Sequence, residues 1–237
     1  MNLSDEMVQI LQAEKDPLRA VGTAKFFQAQ PGGYGEGDQF WGIKVPIQRK
    51  ISRIWCAQLS ADELASLLSH PVHEVRLTAL MALVLLFQRA GAKDQKALIV
   101  ELYLANSAGV NNWDLVDSSA HQILGEWLCD KDWSLLTELA VSPELWKQRI
   151  AMIATYAFIK KGAFGPTLAL ARLLIDHRHD LIHKAVGWML REVGNRDQQV
   201  ELSFLKDHYH FMPRTMLRYA IEKFPEALRQ DFLTGRA

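Results

Sequence analysis

The residues best suited to chemistry lie in one short segment, Asn111 to Asp117, with the sequence Asn-Asn-Trp-Asp-Leu-Val-Asp. If Asn112 caps a helix, Trp113 and Asp117 stand one turn apart and project from the same face. An indole face attracts cations, and a carboxylate can stabilise positive charge or orient a water molecule. Asp114 falls in the first turn, where its charge favours the helix dipole, so Asp117 is the better catalytic candidate. The alternative is an ordinary helix start with a core tryptophan and two solvated acids.

Two later segments, 146–151 and 184–192, have the sequences Trp-Lys-Gln-Arg-Ile-Ala and Lys-Ala-Val-Gly-Trp-Met-Leu-Arg-Glu. Taken alone, Arg149 would be a solvated helix residue and Trp188 a core residue. Together with the segment above and with Phe-Trp-Gly-Ile-Lys-Val-Pro at 40–46, however, they resemble the AlkD family of DNA alkylation-repair glycosylases. The resemblance extends over most of the chain.

The resemblance implies a DNA repair enzyme that holds double-stranded DNA on the concave face of a HEAT-like solenoid. Such an enzyme removes N3- or N7-alkylated purines by hydrolysing the N-glycosidic bond, without flipping the base into a pocket. Position by position, Trp113 and Trp188 match the family's two lesion-site tryptophans, Asp117 its catalytic carboxylate and Arg149 its active-site arginine. A non-catalytic helical-repeat module that binds DNA or another protein is the alternative function.

The residue types suit this reaction. An N7- or N3-alkylated purine is cationic and is already a good leaving group, and its departure leaves positive charge on the sugar. Each indole face attracts such a cation by about 0.5 to 2 kcal/mol, and Asp117 can stabilise the oxocarbenium-like sugar or orient a water molecule. Arg149 can hold a phosphate through two parallel hydrogen bonds. No strong general acid and no cofactor is required.

The elements that must position these residues are predicted to be helices. Apolar residues recur at three- and four-residue spacing through most of the chain, and Ser60 with Glu63 forms a capping box. Leu and Ala are abundant, whereas Gly (14) and Pro (8) are few, which favours helix over a turn-rich β fold. The predicted helices lie near 4–14, 17–29, 46–57, 61–69, 71–90, 93–106, 113–129, 132–140, 143–161, 164–176, 179–193, 197–207, 212–223 and 225–234.

Several of these segments look alike. His70-Pro71 leads to Arg76, Ser142-Pro143 leads to Arg149, and Asp180 leads to Lys184, so that the basic residues are 73 and 35 apart. These distances roughly fit multiples of the period of about 40 residues found in HEAT-type repeats. We therefore expect one all-α domain over residues 1–237, an α-solenoid of HEAT-like repeats, with an irregular helical bundle as the alternative.

Charge is segregated along the chain, although 27 basic residues balance 27 acidic ones. Residues 39–61 carry four basic residues and no acid, and 145–175 carry five and no acid, whereas 101–144 hold eight acids and one lysine. A protein that grips phosphates along one face has such a pattern, and chance clustering on solvated faces is the alternative. The predicted phosphate contacts are Lys44, Arg49, Lys147, Lys184 and Arg191.

A glycine-rich stretch at 28–39 departs from the AlkD pattern because it is longer than expected at this point. It is not a phosphate loop, since no Gly-Lys-Ser/Thr follows and it carries two acids. We expect a mobile loop or a small hairpin beside the DNA face.

The remaining features exclude other classes. Cys56 and Cys129 are too few for a disulfide framework or a zinc cluster and are expected to be reduced thiols. His179 and His183 have the i, i+4 spacing of metal ligands, but no metal motif frames them, and we expect no metal. The N-terminal segment does not resemble a secretory signal, and uncharged runs reach only 12 residues, too short for a bilayer. We expect a cytoplasmic monomer that does not enter membranes.

Overall fold

The computed structural model describes residues 2–237, and these are all-α, as the sequence predicts. Contacts between helices divide the chain into two compact units, the first ending at Ser119 and the second running from Ala120 to Ala237. No helix among residues 2–237 has the length and apolar content needed to span a bilayer. A single domain and a solenoid of HEAT-like repeats stay predictions.

The first unit has one long, largely buried helix at its centre. This helix, α5, packs on α3, α4, α6 and the short α7. The α-helices of the first unit are α1 (Leu3–Ala13), α2 (Pro17–Phe26), α3 (Val45–Trp55), α4 (Ala61–Leu68), α5 (His73–Arg89), α6 (Lys93–Ala105) and α7 (Trp113–Asp117). The capping box predicted at Ser60 and Glu63 is confirmed, and it starts α4.

The second unit is built in the same way around α10, which packs on α9, α11 and α12. A π-helical turn over His121–Gly125 opens this unit. Its α-helices are α8 (Glu126–Leu128), α9 (Ser134–Ala140), α10 (Leu145–Lys160), α11 (Gly165–Leu173), α12 (Asp180–Gly194), α13 (Gln198–His208), α14 (Arg214–Ala220) and α15 (Glu226–Thr234). Both central helices bury side chains on nearly every face, which explains why apolar residues occupy most of their positions.

The continuous helix predicted over 113–129 is wrong, because α7 ends at Asp117. The reason lies in the serines that follow. The Ser119 hydroxyl donates to the Leu115 carbonyl oxygen at 2.6 Å, and such side-chain bonds compete with the regular helical ladder. The chain continues through a turn into the π-helical turn and α8. The chemically interesting segment is therefore a helix of only five residues.

The glycine-rich stretch is a series of turns, not a hairpin. Its last residue, Gln39, forms an isolated bridge with Val72, and no strand is present elsewhere in residues 2–237. The Gln39 N–H donates to the Pro71 carbonyl oxygen at 3.1 Å, and the His73 N–H donates to the Gln39 carbonyl oxygen at 2.8 Å. The stretch is thereby joined to the start of α5.

Candidate functional site

Trp113 and Asp117 begin and end α7, so both project from one face one turn apart. Asn112 is the N-cap, as predicted, and its side-chain oxygen accepts a hydrogen bond from the Trp113 N–H at 2.9 Å. Both Trp113 and Asp117 are partly exposed, while the residues between them on the other face, Leu115 and Val116, are fully buried. The helix thus presents an indole and a carboxylate together and anchors them through its apolar side.

An aromatic cluster supports the Trp113 indole. The ring centroids of Phe26 and Phe27 lie 5.8 and 5.3 Å from that of Trp113. Phe27 in turn stacks on Phe40 at 5.4 Å and lies 4.8 Å from the His73 imidazole. Aromatic pairs at these distances contribute about 0.5–1.5 kcal/mol beyond simple burial. The cluster therefore restricts the positions that the indole can take.

A buried chain of charged groups lies at the start of α7. His73 Nδ1 is 3.2 Å from Asp38 Oδ2, and His73 Nε2 is 2.9 Å from Asp114 Oδ2. The side chains of His73 and Asp38 are 2% and 4% exposed, and that of Asp114 is 17% exposed. Burial works against a charged imidazole, but the hydrogen bonds to Asp114 and Asp38 raise the pKa of His73 above its ordinary value.

Arg76 completes this buried group. Its Nη2 lies 2.7 Å from Asp38 Oδ1 and 2.8 Å from Asn111 Oδ1, and its Nε donates to the Gly109 carbonyl oxygen at 2.9 Å. Burial works against ionisation of Asp38, but His73 and Arg76 hold its pKa below the ordinary value. Asp38 is therefore a carboxylate that lies between the Arg76 guanidinium and the His73 imidazole.

Glu74 fixes the segment that joins the glycine-rich stretch to α3. Its buried carboxylate accepts hydrogen bonds from the backbone N–H groups of Trp41, Gly42 and Ile43, at 3.1, 2.7 and 3.3 Å. Gly42 has φ of +77°, and a Cβ atom there would lie 2.3 Å from the Asp16 carbonyl oxygen. This explains why the sequence places glycine after Trp41.

In the second unit, Trp188 is partly exposed on α12 and has polar support. Its indole Nε1 donates to Glu192 Oε1 at 3.2 Å, and Glu192 Oε2 lies 3.2 Å from Arg196 Nη1. The Arg196 guanidinium lies 5.6 Å from the Tyr156 ring centroid, and that ring lies 6.3 Å from the Trp188 ring. The four side chains, Trp188 included, are thus joined by a closed cycle of contacts.

Arg149 is 4% exposed on α10, and its Nη1 donates to the Leu181 carbonyl oxygen in the first turn of α12. The guanidinium thus links the two helices on which Arg149 and Trp188 lie. Its contact with a phosphate stays a prediction. The meeting of Trp113, Asp117 and Trp188 around one nucleotide also stays a prediction.

The five predicted phosphate contacts differ in their surroundings. Lys44 and Arg49 are exposed, and no carboxylate among residues 2–237 lies within ion-pair distance of either. Each of the other three forms an ion pair with an acidic neighbour: Lys147 with Glu144, Lys184 with Asp180 at 2.6 Å, and Arg191 with Glu222. A phosphate would therefore compete with a carboxylate at these three positions, but not at the first two.

The histidines near α12 form hydrogen bonds with nearby backbone groups. His179 caps α12, because its Nδ1 accepts from the Leu181 N–H at 3.2 Å. His177 Nδ1 accepts from the His179 N–H at 3.0 Å, and His183 Nε2 contacts the His177 carbonyl oxygen. Burial lowers the pKa of His177 and of His179. No cluster of three metal-ligating side chains occurs within residues 2–237.

Sequence reasoning missed Asp38, His73, Glu74 and Tyr156. One signal was present, since three of the first four residues of α5 are polar and are followed by a long, mainly apolar run. Polar side chains in a helix that is buried on all sides need partners, and such partners must come from elsewhere in the chain. Tyr156 similarly interrupts a run of buried residues in α10.

The fold and the site define an all-α protein of packed helices that carries an indole and a carboxylate on one helical turn. The solved structure of a predicted DNA alkylation repair enzyme from Enterococcus faecalis has this fold, with a TM-score of 0.68 at 17% identity, over 90% of this chain and 98% of that one. The model of the DNA alkylation repair enzyme family matches residues 7–224. The chain belongs to this family, and its role lies in the repair of alkylated DNA. No curated protein matches the sequence.

Proposed function

We propose that this protein is a DNA N-glycosylase that excises cationic N3- or N7-alkylated purines from double-stranded DNA, without base flipping. The observation that carries this proposal is the pair of partly exposed side chains, Trp113 and Asp117, on one turn of α7. Membership of the DNA alkylation repair enzyme family supplies the substrate class.

The reaction makes few demands on the protein. The alkylated purine carries a positive charge, so the electrons of the breaking N-glycosidic bond neutralise the base as it leaves. Positive charge then develops on the sugar, where the Asp117 carboxylate stabilises it or orients the attacking water. The oxygen of that water forms the new bond at C1′, and its proton passes to solvent. No cofactor enters this scheme.

The indoles contribute by attracting the charged base. An indole attracts a cation by about 0.5 kcal/mol when exposed and about 2 kcal/mol when water is excluded. Trp113 is held for this role by Phe27, and Trp188 by Glu192 and Tyr156. We further propose that Arg149 binds a phosphate beside the lesion, and that Lys44, Arg49, Lys147, Lys184 and Arg191 bind the flanking backbone. The protein acts in this scheme as a cytoplasmic monomer.

The experiment that tests the proposal compares three duplexes of one sequence, which contain N7-methylguanine, neutral O6-methylguanine or unmodified guanine at one position. We expect release of free N7-methylguanine, with an abasic site left in the strand, and no release from the other two duplexes. Release from the neutral lesion at the same rate would contradict the role given to the charge of the base. Tight binding of all three duplexes without release would instead support the non-catalytic DNA-binding module.

The phosphate contacts are tested by the salt dependence of binding to unmodified DNA. Removing one phosphate contact should lower the slope of log K against log salt by about 0.9. Lys44→Gln and Arg49→Gln should each lower the slope by this full amount, because a phosphate that binds either side chain does not have to displace a carboxylate. Lys25→Gln, an exposed position in α2 that is not among the predicted contacts, is the control. A slope unchanged by both variants would contradict the assignment.

A further inference from the structure

We propose that Asp38 and His73 are positioning residues, through which the glycine-rich stretch sets the orientation of the Trp113 indole. This inference rests on the proposed function, since it assigns the stretch a purpose in base excision. No hydrogen bond or ring contact within residues 2–237 joins either residue directly to Trp113, so both act through other side chains.

The first step is that the glycine-rich stretch is docked against the elements that hold Trp113. Gly35 is buried, and a Cβ atom there would lie 2.4 Å from the Phe27 carbonyl oxygen and 3.1 Å from Asn112 Nδ2. A Cβ atom at Gly33 would lie 2.0 Å from the Gln28 carbonyl oxygen. Only glycine allows this approach, in which the backbone lies directly on the end of α2 and on the residue that caps α7.

The second step is that Asp38, at the end of the stretch, reaches α7 by two routes. One route is direct, because Asn111 Nδ2 donates to Asp38 Oδ1 at 3.0 Å just before the cap of α7. The other passes through His73 to Asp114, in the first turn of α7. A helix of five residues is too short to be stable by itself. The orientation of α7 therefore depends on contacts of this kind.

The third step is that His73 also touches the aromatic cluster that supports the indole. Its imidazole lies 4.8 Å from the rings of both Phe27 and Phe40. Phe27 is the ring that lies 5.3 Å from Trp113. A displacement of His73 should therefore move the Trp113 indole in two ways, through Asp114 at the start of α7 and through Phe27.

Asp38→Asn tests this role with little change of shape. The amide keeps an oxygen that can accept from Arg76, but it removes the negative charge that His73 and Arg76 share. Base release from N7-methylguanine DNA under single-turnover conditions should slow by about 10- to 100-fold, the cost of misplacing a group by about 1 Å. The protein concentration at half-saturation should not change. Asp132→Asn, which alters an exposed carboxylate that accepts from the Ser134 N–H in the other unit, is the matched control.

A double-mutant cycle separates positioning from general weakening of the fold. If Asp38 acts through Trp113, Asp38→Asn should cost less than about twofold in a Trp113→Leu background, because no indole remains to be misplaced. If the two losses multiply instead, the proposal is overturned.

A second readout does not depend on activity. The seven indole N–H resonances can be resolved in a ¹H–¹⁵N spectrum, and the loss of one signal in Trp113→Leu identifies that of Trp113. Asp38→Asn and His73→Leu should shift this resonance. His73→Gln should shift it less, since the glutamine amide can still donate to Asp114. An unmoved Trp113 signal overturns the proposal, and it does so even if the wild-type protein releases no base, which would contradict only the proposed function.

Discussion

The two candidate lesion-site tryptophans are held in different ways. Trp113 stands over an aromatic cluster that is locked by buried charges, and the side chains of Asp38, His73 and Arg76 are each at most 4% exposed. Trp188 is held by Glu192 and Arg196, which are 16% and 31% exposed. Electrostatic contacts strengthen as water is excluded, and buried charges become costly when they lose a partner. The side chains that hold Trp113 should therefore tolerate substitution poorly, whereas those that hold Trp188 should tolerate it better.

The two units share one construction despite this difference. Arg76 on α5 donates to the carbonyl oxygen of Gly109, 33 residues later, and Arg149 on α10 donates to that of Leu181, 32 residues later. Arg76 thus ties α5 to the segment before α7, and Arg149 ties α10 to the first turn of α12, so each arginine links a central helix to the region of a tryptophan-bearing helix. The likeness that the sequence shows around Arg76 and Arg149 corresponds to this shared contact.

The largest effect on stability is expected when the buried support is broken. Asp38→Ala leaves His73 and Arg76 buried without their shared carboxylate, and removing one partner of a buried pair costs about 3–5 kcal/mol. Urea unfolding followed by circular dichroism should show this loss. Asp231→Ala, which removes an exposed carboxylate that pairs with Arg236, should cost about 1 kcal/mol or less. Equal losses in the two variants would remove the distinction between buried and exposed charge.

A second prediction concerns Glu201, a buried acid of the second unit that is 2% exposed. Its Oε1 has no hydrogen-bond partner in residues 2–237, and burial raises its pKa to about 8, although nearby Arg191 opposes the shift. The folded state therefore keeps the proton while the unfolded chain ionises, so this group costs stability increasingly from about pH 5 to about pH 8. Glu201→Gln should stabilise the protein by about 4 kcal/mol near pH 8 and hardly at all near pH 4. Glu138→Gln, at an exposed position of α9, is the control in the same unfolding experiment.

The smallest effect on stability is expected at the exposed support of Trp188. Glu192→Leu should lower the free energy of unfolding by only about 1 kcal/mol, because both the indole hydrogen bond and the ion pair to Arg196 are partly open to water. Added salt should reduce the difference from wild type, since ions screen an exposed pair. Glu192→Gln retains an acceptor for the indole and should lose less. A loss as large as that of Asp38→Ala would show that the two supports are alike.

The contacts that the sequence predicts are the local ones. The helical periodicity, the capping box at Ser60 and the Asn112 cap involve residues within one or two turns, where spacing alone determines proximity. The charge network joins Asp38 to His73, 35 residues away, and His73 to Asp114, 41 residues away. No periodic pattern specifies such pairs. The early end of α7 was also missed, because the competing Ser119 hydrogen bond depends on the final backbone geometry.

The glycine-rich stretch, which was predicted to be a mobile loop or hairpin, also depends on long-range contacts that the sequence pattern does not specify. Its glycines and turn residues predict irregular backbone correctly, yet the burial of Gly35 and the anchoring of Asp38 depend on surfaces that distant segments supply. The acids in this stretch argued against a phosphate loop, but they gave no indication of a buried histidine partner. A polar residue in a loop becomes informative only when a buried partner of opposite charge is known.

The central claim is that Asp117 stabilises positive charge on the sugar while the alkylated base leaves. The most direct measurement is the single-turnover rate of N7-methylguanine release by Asp117→Asn, with Asp94→Asn, an exposed acid in the first turn of α6, as the control. Loss of one electrostatic contact of this kind costs about 10²- to 10³-fold in rate, and we expect a reduction in that range with unchanged DNA binding and an unaffected control. Release by Asp117→Asn at the wild-type rate would contradict the account.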